Sequence, residues 1–294
     1  VPVISVPQAF NEEDLYVDLR PMLGQPLFLK CEGFNFAGSI KLKAATEMVE
    51  SAERRGIIGR DSILVESSSG NLGVALSVIA ASKGYRFFCV TDSRCNLATR
   101  LMMEALGSKV HVVSEGTAEG GLLGARLAFV RDLCAADPHC VWLSQYTNAD
   151  NWKAHYYRTA PAIARGFPHL DVLFIGVGTT GTLMGCARWF RNWHRPVRIV
   201  AVDSVGSAIF GDPPGRRMIP GLGMSVRPAA ARRGVRGRGG ARRGGGHHPH
   251  LPQPGHAGLP LRRLHRHGGQ RCEELARPAR HPRPHPGGDR PGPR

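Results

Sequence analysis

Between about Ser62 and Val205 the chain alternates short β-branched or aromatic runs with segments of helical spacing, and no other feature limits the fold as much. The runs are "ILVE" (63–66), "YRFFCVT" (85–91), "KVHVVS" (109–114), "CVWLS" (140–144), "VLFIGVG" (172–178) and "VRIVAV" (197–202). Helices are predicted over Leu97–Leu106, Leu122–Ala135, Asn151–Ala164 and Leu183–Trp193. Strand, helix, strand in that order gives parallel sheets flanked by helices, because each parallel return needs a crossover long enough to hold one. The class is therefore α/β. In such sheets ligands sit beyond the carboxyl ends of the strands. The 294 residues suffice for one large domain or two modest ones.

Three strand-to-loop-to-helix junctions carry chemistry. In "VESSSGNLGVALSVIAASKG" a strand ends near Glu66 and a helix runs from about Asn71 to Lys83, so hydroxyls and free amides gather at a helix N-terminus. Such a place suits an anion, and a carboxylate is the natural guest. A plain helix cap would also account for one Ser and one Gly. In "VLFIGVGTTGTLMGCARWF", Gly178, Thr179, Thr180, Gly181 and Thr182 can turn successive N–H groups and hydroxyls onto one phosphate. There is no P-loop lysine and no full dinucleotide fingerprint, so a phosphate monoester fits as well as a nucleotide, and a tight turn is the bland alternative. In "FNFAGSIKLKAATEMVESAERRG", Lys41 opens a helix, where its charge opposes the macrodipole. A Schiff-base lysine, neutral and tied to a cofactor, removes that conflict. For any single lysine, Lys43 included, a solvated surface position is the default expectation. A carboxylate loop, a phosphate loop and a lysine together describe a pyridoxal-phosphate site for an amino acid.

The net charge of +16 is unevenly distributed. From Arg227 onward, 16 Arg and three acids give +13 and leave the rest of the chain at +3, so a polyanion partner is suggested by the tail alone. That tail has no apolar periodicity and is expected to be disordered. The seven cysteines show no CxxC pairing, which suits a reducing, cytoplasmic compartment. No apolar run reaches the roughly 18 residues of a membrane span and no charged-then-apolar leader is seen, so the expectation is a soluble, unexported protein without a membrane partner. No spacing suggests a resident metal; "HHPH" (247–250) reads as an accident of composition.

Over about 26–227 these residues resemble the fold-type II pyridoxal-phosphate enzymes of the cysteine synthase family. "AGSIK" is similar to that family's Gly-Gly-Ser-x-Lys segment, "SSSGNLG" to its Thr-Ser-Gly-Asn-Thr-Gly loop, "SQYTN" to its Gln-Phe-x-Asn strand end, and "GTTGT" to its phosphate loop. The resemblance implies a tryptophan synthase β-like fold of two domains, with 1–42 and 146–227 in a large one and 43–145 in a small one. It places the pyridoxal 5'-phosphate Schiff base on Lys41, the ring oxygen at Asn71, the phosphate at Gly178, Thr179, Thr180, Gly181 and Thr182, and the substrate carboxylate at Ser68, Ser69 and Gln145. It also implies small amino-acid substrates and a homodimer where the native C-terminus is present. "LSQYTNADNWKAHY" and "AVDSVGSAIFGDPPGRRMIPGLG" are similar to the branch that joins O-phosphoserine and glutamate into N-(2-amino-2-carboxyethyl)-glutamate, a precursor of 2,3-diaminopropionate in siderophore and peptide-antibiotic pathways. Lys41 then exchanges its cofactor bond with the incoming amino acid and removes the Cα proton, after which the β-leaving group departs and a nucleophile adds at Cβ. "RRMIPGLG" (216–223) borders the mouth of the site, where Arg216 or Arg217 steers an anion or simply forms a solvated turn.

The departures are specific. The family reads Lys-Asp-Arg where this chain has Lys41, Leu42 and Lys43; Phe36 and Ala37 replace Pro-Gly, and Leu72 replaces a loop threonine. The family's C-terminal Gly-Gly-Ser-Thr-Gly loop, whose serine meets the pyridine nitrogen, is missing. Read one base later with free choice of wobble bases, 259–274 spells "FLFGGSTGTVVSGAKS", which puts that serine at Leu264; the tail over 228–294 is then frameshifted. Three alternatives stay open: a cysteine synthase using sulfide, a chain that holds the fold without turnover, and an Arg/Gly-rich nucleic-acid binder on a degenerate enzyme domain. The last is the minor reading, because no aromatic residue follows Phe210 to stack a base.

Overall fold

The computed structural model describes residues 3–118 and 120–226 and the backbone of Arg262–Leu264. A short antiparallel pair opens it, β1 (Tyr16–Asp18) against β2 (Phe28–Lys30), with the turn α1 (Arg20–Leu23) between them. Next come α2 (Lys41–Arg54), β3 (Ile63–Ser67), α3 (Asn71–Lys83), β4 (Arg86–Asp92), α4 (Leu97–Ala105), β5 (Lys109–Val113), α5 (Gly121–Ala136) and β6 (Cys140–Trp142). The four strands form a parallel sheet in the order β5-β4-β3-β6, with Ile63 paired to Arg86 on one side and to Cys140 on the other. The chain winds outward from β3 through β4 to β5 and then returns to the opposite side of β3. This reversal opens a crevice beyond the carboxyl ends of β3 and β6, the place where such sheets bind ligands.

Strand alternation divides the core of this sheet. Leu64 packs with Met48, Val49, Leu76, Ile79 and Met103 under α2, α3 and α4, whereas Val65 faces Val90, Val130 and Cys140 under α5. Helix α3 is apolar on every side, and Leu72 to Ala80 are all buried, as expected of a helix sandwiched between a sheet and other helices.

A second parallel sheet follows, β7 (Val172–Gly176), β8 (Arg198–Val202) and β9 (Arg262–Leu264), with α8 (Gly181–Phe190) leaving β7. Its core joins Ile175, Val177, Leu183, Phe190, Ile199 and Ile209. Apart from Arg262–Leu264, which form β9, the tail over 228–294 expected to be disordered, with its "HHPH" run, lies outside the described residues. The backbone of Leu264 is described and pairs with Val202.

The two sheets are joined by the segment expected as one helix over Asn151–Ala164. It is instead α6 (Asp150–Ala154), a π-helical turn over His155–Thr159, and α7 (Ala160–Gly166). Helix α8 explains the widening: a Cβ on Gly185 would lie 2.5 Å from the Trp152 carbonyl oxygen and 2.8 Å from the Tyr156 amide nitrogen, so the two backbones touch. Helix α6 is also tied to α2. Arg55 reaches the buried Asp150 at 2.7 Å, and Lys153 reaches it at 2.9 Å. Burial pushes the Asp150 carboxyl up, but the hydrogen bonds from Lys153 and Ser51 and the charges of Lys153 and Arg55 prevail and hold it below the usual range.

Candidate functional site

Lys41 owes its position to the turn before it. Asn35 organises that turn: its Nδ2 donates to the carbonyls of Glu32 (3.2 Å) and Ser39 (3.0 Å) and to Glu12 Oε1 (2.9 Å), while its Oδ1 accepts from the Ala37 amide (3.0 Å). Gly38 takes the left-handed conformation the turn requires, and Lys41 becomes the first residue of α2. The Lys41 amine makes no ion pair among the described residues, and burial lowers its pKa with no charged neighbour opposing the shift. Lys43, expected in solvent, is buried. Its amine pairs with Glu32 at 2.8 Å on the face of α2 turned away from Lys41, and the flanking Lys30 completes the cluster at 3.7 Å from the same carboxylate. Burial is acceptable for Lys43 because the partner carboxylate is buried with it.

The loop after β3 begins at the crevice. Ser68 is buried, and its hydroxyl accepts from the Gly73 amide at 3.0 Å and the Gly70 amide at 3.3 Å, so in this conformation it caps α3. Ser69 is exposed, the Ser67 hydroxyl is buried without a partner, and Asn71 stands exposed at the first position of α3. Gln145, after β6, is buried beside this loop; its Nε2 donates to the Ser67 carbonyl at 3.1 Å. The strand ends that carry Ser68, Ser69 and Gln145 are thus adjacent.

The loop between β7 and α8 has the features of an anion cradle. Thr180 holds a left-handed φ of 68°, costly for a β-branched residue, and its hydroxyl is buried and unpartnered. The first-turn amides of α8 have no carbonyl within their own helix to bond. Space here depends on glycine: a Cβ on Gly178 would come within 3.1 Å of the Gly221 carbonyl, and one on Gly181 would collide with Asn151 Oδ1. The strap over 216–223 closes this side, with the Gly223 amide donating to the Val177 carbonyl at 2.7 Å. Gly221 faces Asn71, and Arg217 is held by Ser225 at 3.0 Å.

Two residues that the motifs did not single out connect these parts. Asn151 Nδ2 donates to the Gln145 carbonyl at 2.9 Å and to Thr179 Oγ1 at 3.1 Å. One turn on, His155 Nε2 meets Thr182 Oγ1 at 3.3 Å while Nδ1 meets Thr159 Oγ1 at 3.0 Å. Burial, and after it the charges of Lys41 and Lys43, push the His155 pKa down to about 3, so the ring is neutral at physiological pH. A sequence signal existed, since Asn151 and His155 share a helix face at i, i+4. Their partners lie on other elements and could not be read from it.

These residues fit the aldehyde-phosphate cofactor that the loops suggested. An uncompensated amine opens α2, an orphaned threonine hydroxyl and an open helix N-terminus meet at the start of α8, and neutral His155 bonds Thr182 of that loop and feels the charge of Lys41. The family described as pyridoxal-phosphate dependent enzyme matches residues 16–240. The chain belongs to that family. Its cofactor is pyridoxal phosphate. Within the pyridoxal-phosphate dependent enzymes, the chain is 38% identical over 203 residues to the N-(2-amino-2-carboxyethyl)-L-glutamate synthase of Ralstonia nicotianae, covering 69% of this chain and 60% of that protein. It is also 38% identical over 216 residues to the protein of the same name from Cupriavidus metallidurans, covering 72% and 63%. The chain thus spans about three-fifths of the length of these curated relatives. Among solved structures it is similar to the O-acetylserine dependent cystathionine beta-synthase of Helicobacter pylori, with a TM-score of 0.71, 25% identity, and coverage of 78% of this chain and 76% of that one. The fold-type II α/β architecture expected from the sequence is the one observed. Among the described residues no helix is long and apolar enough to cross a membrane, and six cysteines are free.

Proposed function

We propose that this chain carries the site of a pyridoxal-phosphate dependent β-replacement enzyme that acts on an O-activated L-serine, O-phospho-L-serine, with L-glutamate as nucleophile, to give N-(2-amino-2-carboxyethyl)-L-glutamate for 2,3-diaminopropionate synthesis. The observation that carries the chemistry is the arrangement of Lys41, His155 and Thr182. Lys41 opens α2, which packs on α6; the π-helical turn that continues α6 carries the neutral His155, which feels the charge of Lys41 and bonds Thr182 at the start of α8. The choice of substrates is supported by the shared name of the two relatives. The assignment of 1–42 with 146–227 to a large domain and of 43–145 to a small one belongs to the same proposal, as do a homodimeric assembly and a cytoplasmic setting.

The bound cofactor supplies an aldehyde for an amine to capture and a ring that accepts the electron pair released at the amino acid's α-carbon. Lys41 supplies that amine. Its lowered pKa keeps a fraction neutral, able to act as nucleophile and then to take the α-proton on Nζ. Gly178, Thr179, Thr180, Gly181 and Thr182 hold the phosphate through first-turn amides and hydroxyls. His155, being neutral, fixes the Thr182 hydroxyl without bringing a further charge to the cradle. Asn71, whose amide faces Gly221, would contact the ring oxygen of the cofactor. Ser69 and Gln145 receive the substrate carboxylate. Ser68 joins them once its hydroxyl is released from the Gly70 and Gly73 amides.

A second reading, a cysteine synthase using sulfide, is favoured by the similarity to an O-acetylserine dependent enzyme. Loading the protein with pyridoxal phosphate should give a visible absorbance band that Lys41→Ala lacks. Supplying O-phospho-L-serine with glutamate or with sulfide, and identifying the product by mass, decides between the nucleophiles. A band of equal strength in Lys41→Ala would remove the proposal.

A further inference from the structure

Glu66, the last residue but one of β3, is fully buried, with no solvent-exposed surface, two residues before Ser68 in the loop assigned above to the substrate carboxylate. Its Oε1 accepts from the Ser67 amide at 2.8 Å and from Trp142 Nε1 at 3.3 Å, and its Oε2 accepts from the Gln145 amide at 3.0 Å. Gln145 Nε2 returns a bond to the Ser67 carbonyl at 3.1 Å. A closed ring of hydrogen bonds therefore joins the end of β3 to the segment after β6, although Glu66 and Gln145 lie 79 positions apart. All three groups that face the carboxylate are N–H donors, so the ionised form matches them and a carboxamide or a protonated acid does not. Burial nevertheless works against ionisation and raises the Glu66 pKa to about 7, which the three hydrogen bonds and the charge of Arg126 only partly offset. Arg126 from α5 is itself paired with Asp92 of β4 at 3.2 Å, and Cys89 and Tyr146 add no cation nearby. An apolar residue would fill this space without the desolvation cost. The charge is explained by the ring it closes.

We propose that Glu66 is a positioning residue for substrate recognition, its carboxylate setting the distance between the Ser68–Ser69 loop and Gln145 so that both meet one amino-acid carboxylate. This rests on the assignment of those three residues to the substrate carboxylate. It places the specificity for α-amino acids, as against simple amines, in a group that never touches the ligand.

The test compares two ligands on the cofactor-loaded protein, read as perturbation of its visible band: O-phospho-L-serine, and O-phosphoethanolamine, which has the same amine and phosphate but no carboxylate. Glu66→Gln sets an NH2 group against an N–H donor. It is expected to weaken O-phospho-L-serine by about tenfold, the cost of misplacing hydrogen bonds to a charged group, and to leave O-phosphoethanolamine unchanged. Glu66→Asp keeps the charge but reaches only one of the two strand ends; it should show the same ligand-selective loss and provides the reading if the glutamine variant does not fold. Equal weakening of both ligands, or of neither, overturns the positioning role while leaving the site assignment intact. A wild-type protein that takes up no cofactor overturns the site assignment and this role together.

Discussion

Glu66 and His155 are both fully buried, and their pKa values move so as to favour the neutral form of each. Their effects on stability with pH have opposite signs. Glu66 releases its proton near 4.5 in the unfolded chain and near 7 in the folded one, so the folded state holds the extra proton between those values, and stability falls as pH rises through that window. His155 takes a proton near 6.5 when unfolded and only near 3 when folded, so its contribution is lost as pH falls through that window. Converted from the shifts, the two amount to about 3 and about 5 kcal/mol. Between about pH 4.5 and 6.5 they largely cancel. Urea midpoints at pH 7 and pH 5 should therefore show Glu66→Gln losing more stability on acidification than the wild type, and His155→Gln losing less or gaining. Parallel slopes in all three proteins would show that these groups do not titrate as the burial requires.

At the scale of elements, the close approach of α8 to the π-helical turn determines where His155 points. Gly185 permits the approach. Its missing Cβ would meet backbone atoms of Trp152 and Tyr156, which cannot move as a flexible side chain can. Gly185→Ala is expected to cost about 1–3 kcal/mol, as over-packing does, and to weaken cofactor binding by parting His155 from Thr182. Thermal unfolding and titration with pyridoxal phosphate measure the two effects; an alanine variant of unchanged affinity would show that His155 does not support the cradle. Widened π-helical turns recur at functional sites, and here the turn carries a buried histidine bonded to Thr159 and Thr182.

For the molecule as a whole, the two sheets differ in how they are covered. The β3–β6 sheet has apolar residues packed on both faces, as parallel sheets require. In β7, Ile175 is buried under α8, whereas Phe174 is 49% exposed and Val172 36% exposed on the other face. The curated relatives are longer than this chain, and this is an apolar face of a parallel sheet with solvent on it among the described residues. Phe174→Lys should reduce binding of an environment-sensitive apolar dye and slow aggregation while leaving the cofactor band intact. Unchanged dye binding would mean that the face is covered in solution. The charge of the chain bears on none of this, because +13 of it lies after residue 226.

The sequence by itself determined what neighbouring residues decide. Strand periodicity placed six of the parallel strands to within a residue or two, and the Ser-Ser-Gly-Asn and Gly-Thr-Thr-Gly junctions marked where helices start, because turn and cap chemistry act over three or four positions. The helix start at Lys41 was legible for the same reason, and a lysine in that place is a local anomaly. Asn35 and Glu66 were not legible, and the i, i+4 spacing of Asn151 and His155 gave only a shared helix face, since each of the four acts through partners that local sequence does not name. Lys43 was misread as solvated because its burial depends on Glu32, brought to it by the loop between β2 and α2. Only the tertiary structure decided which charges leave water, which donors face which acceptors, and which strand ends share a crevice. Those outcomes are set by contacts between segments far apart in the chain, and their energies depend on a burial that no local pattern encodes.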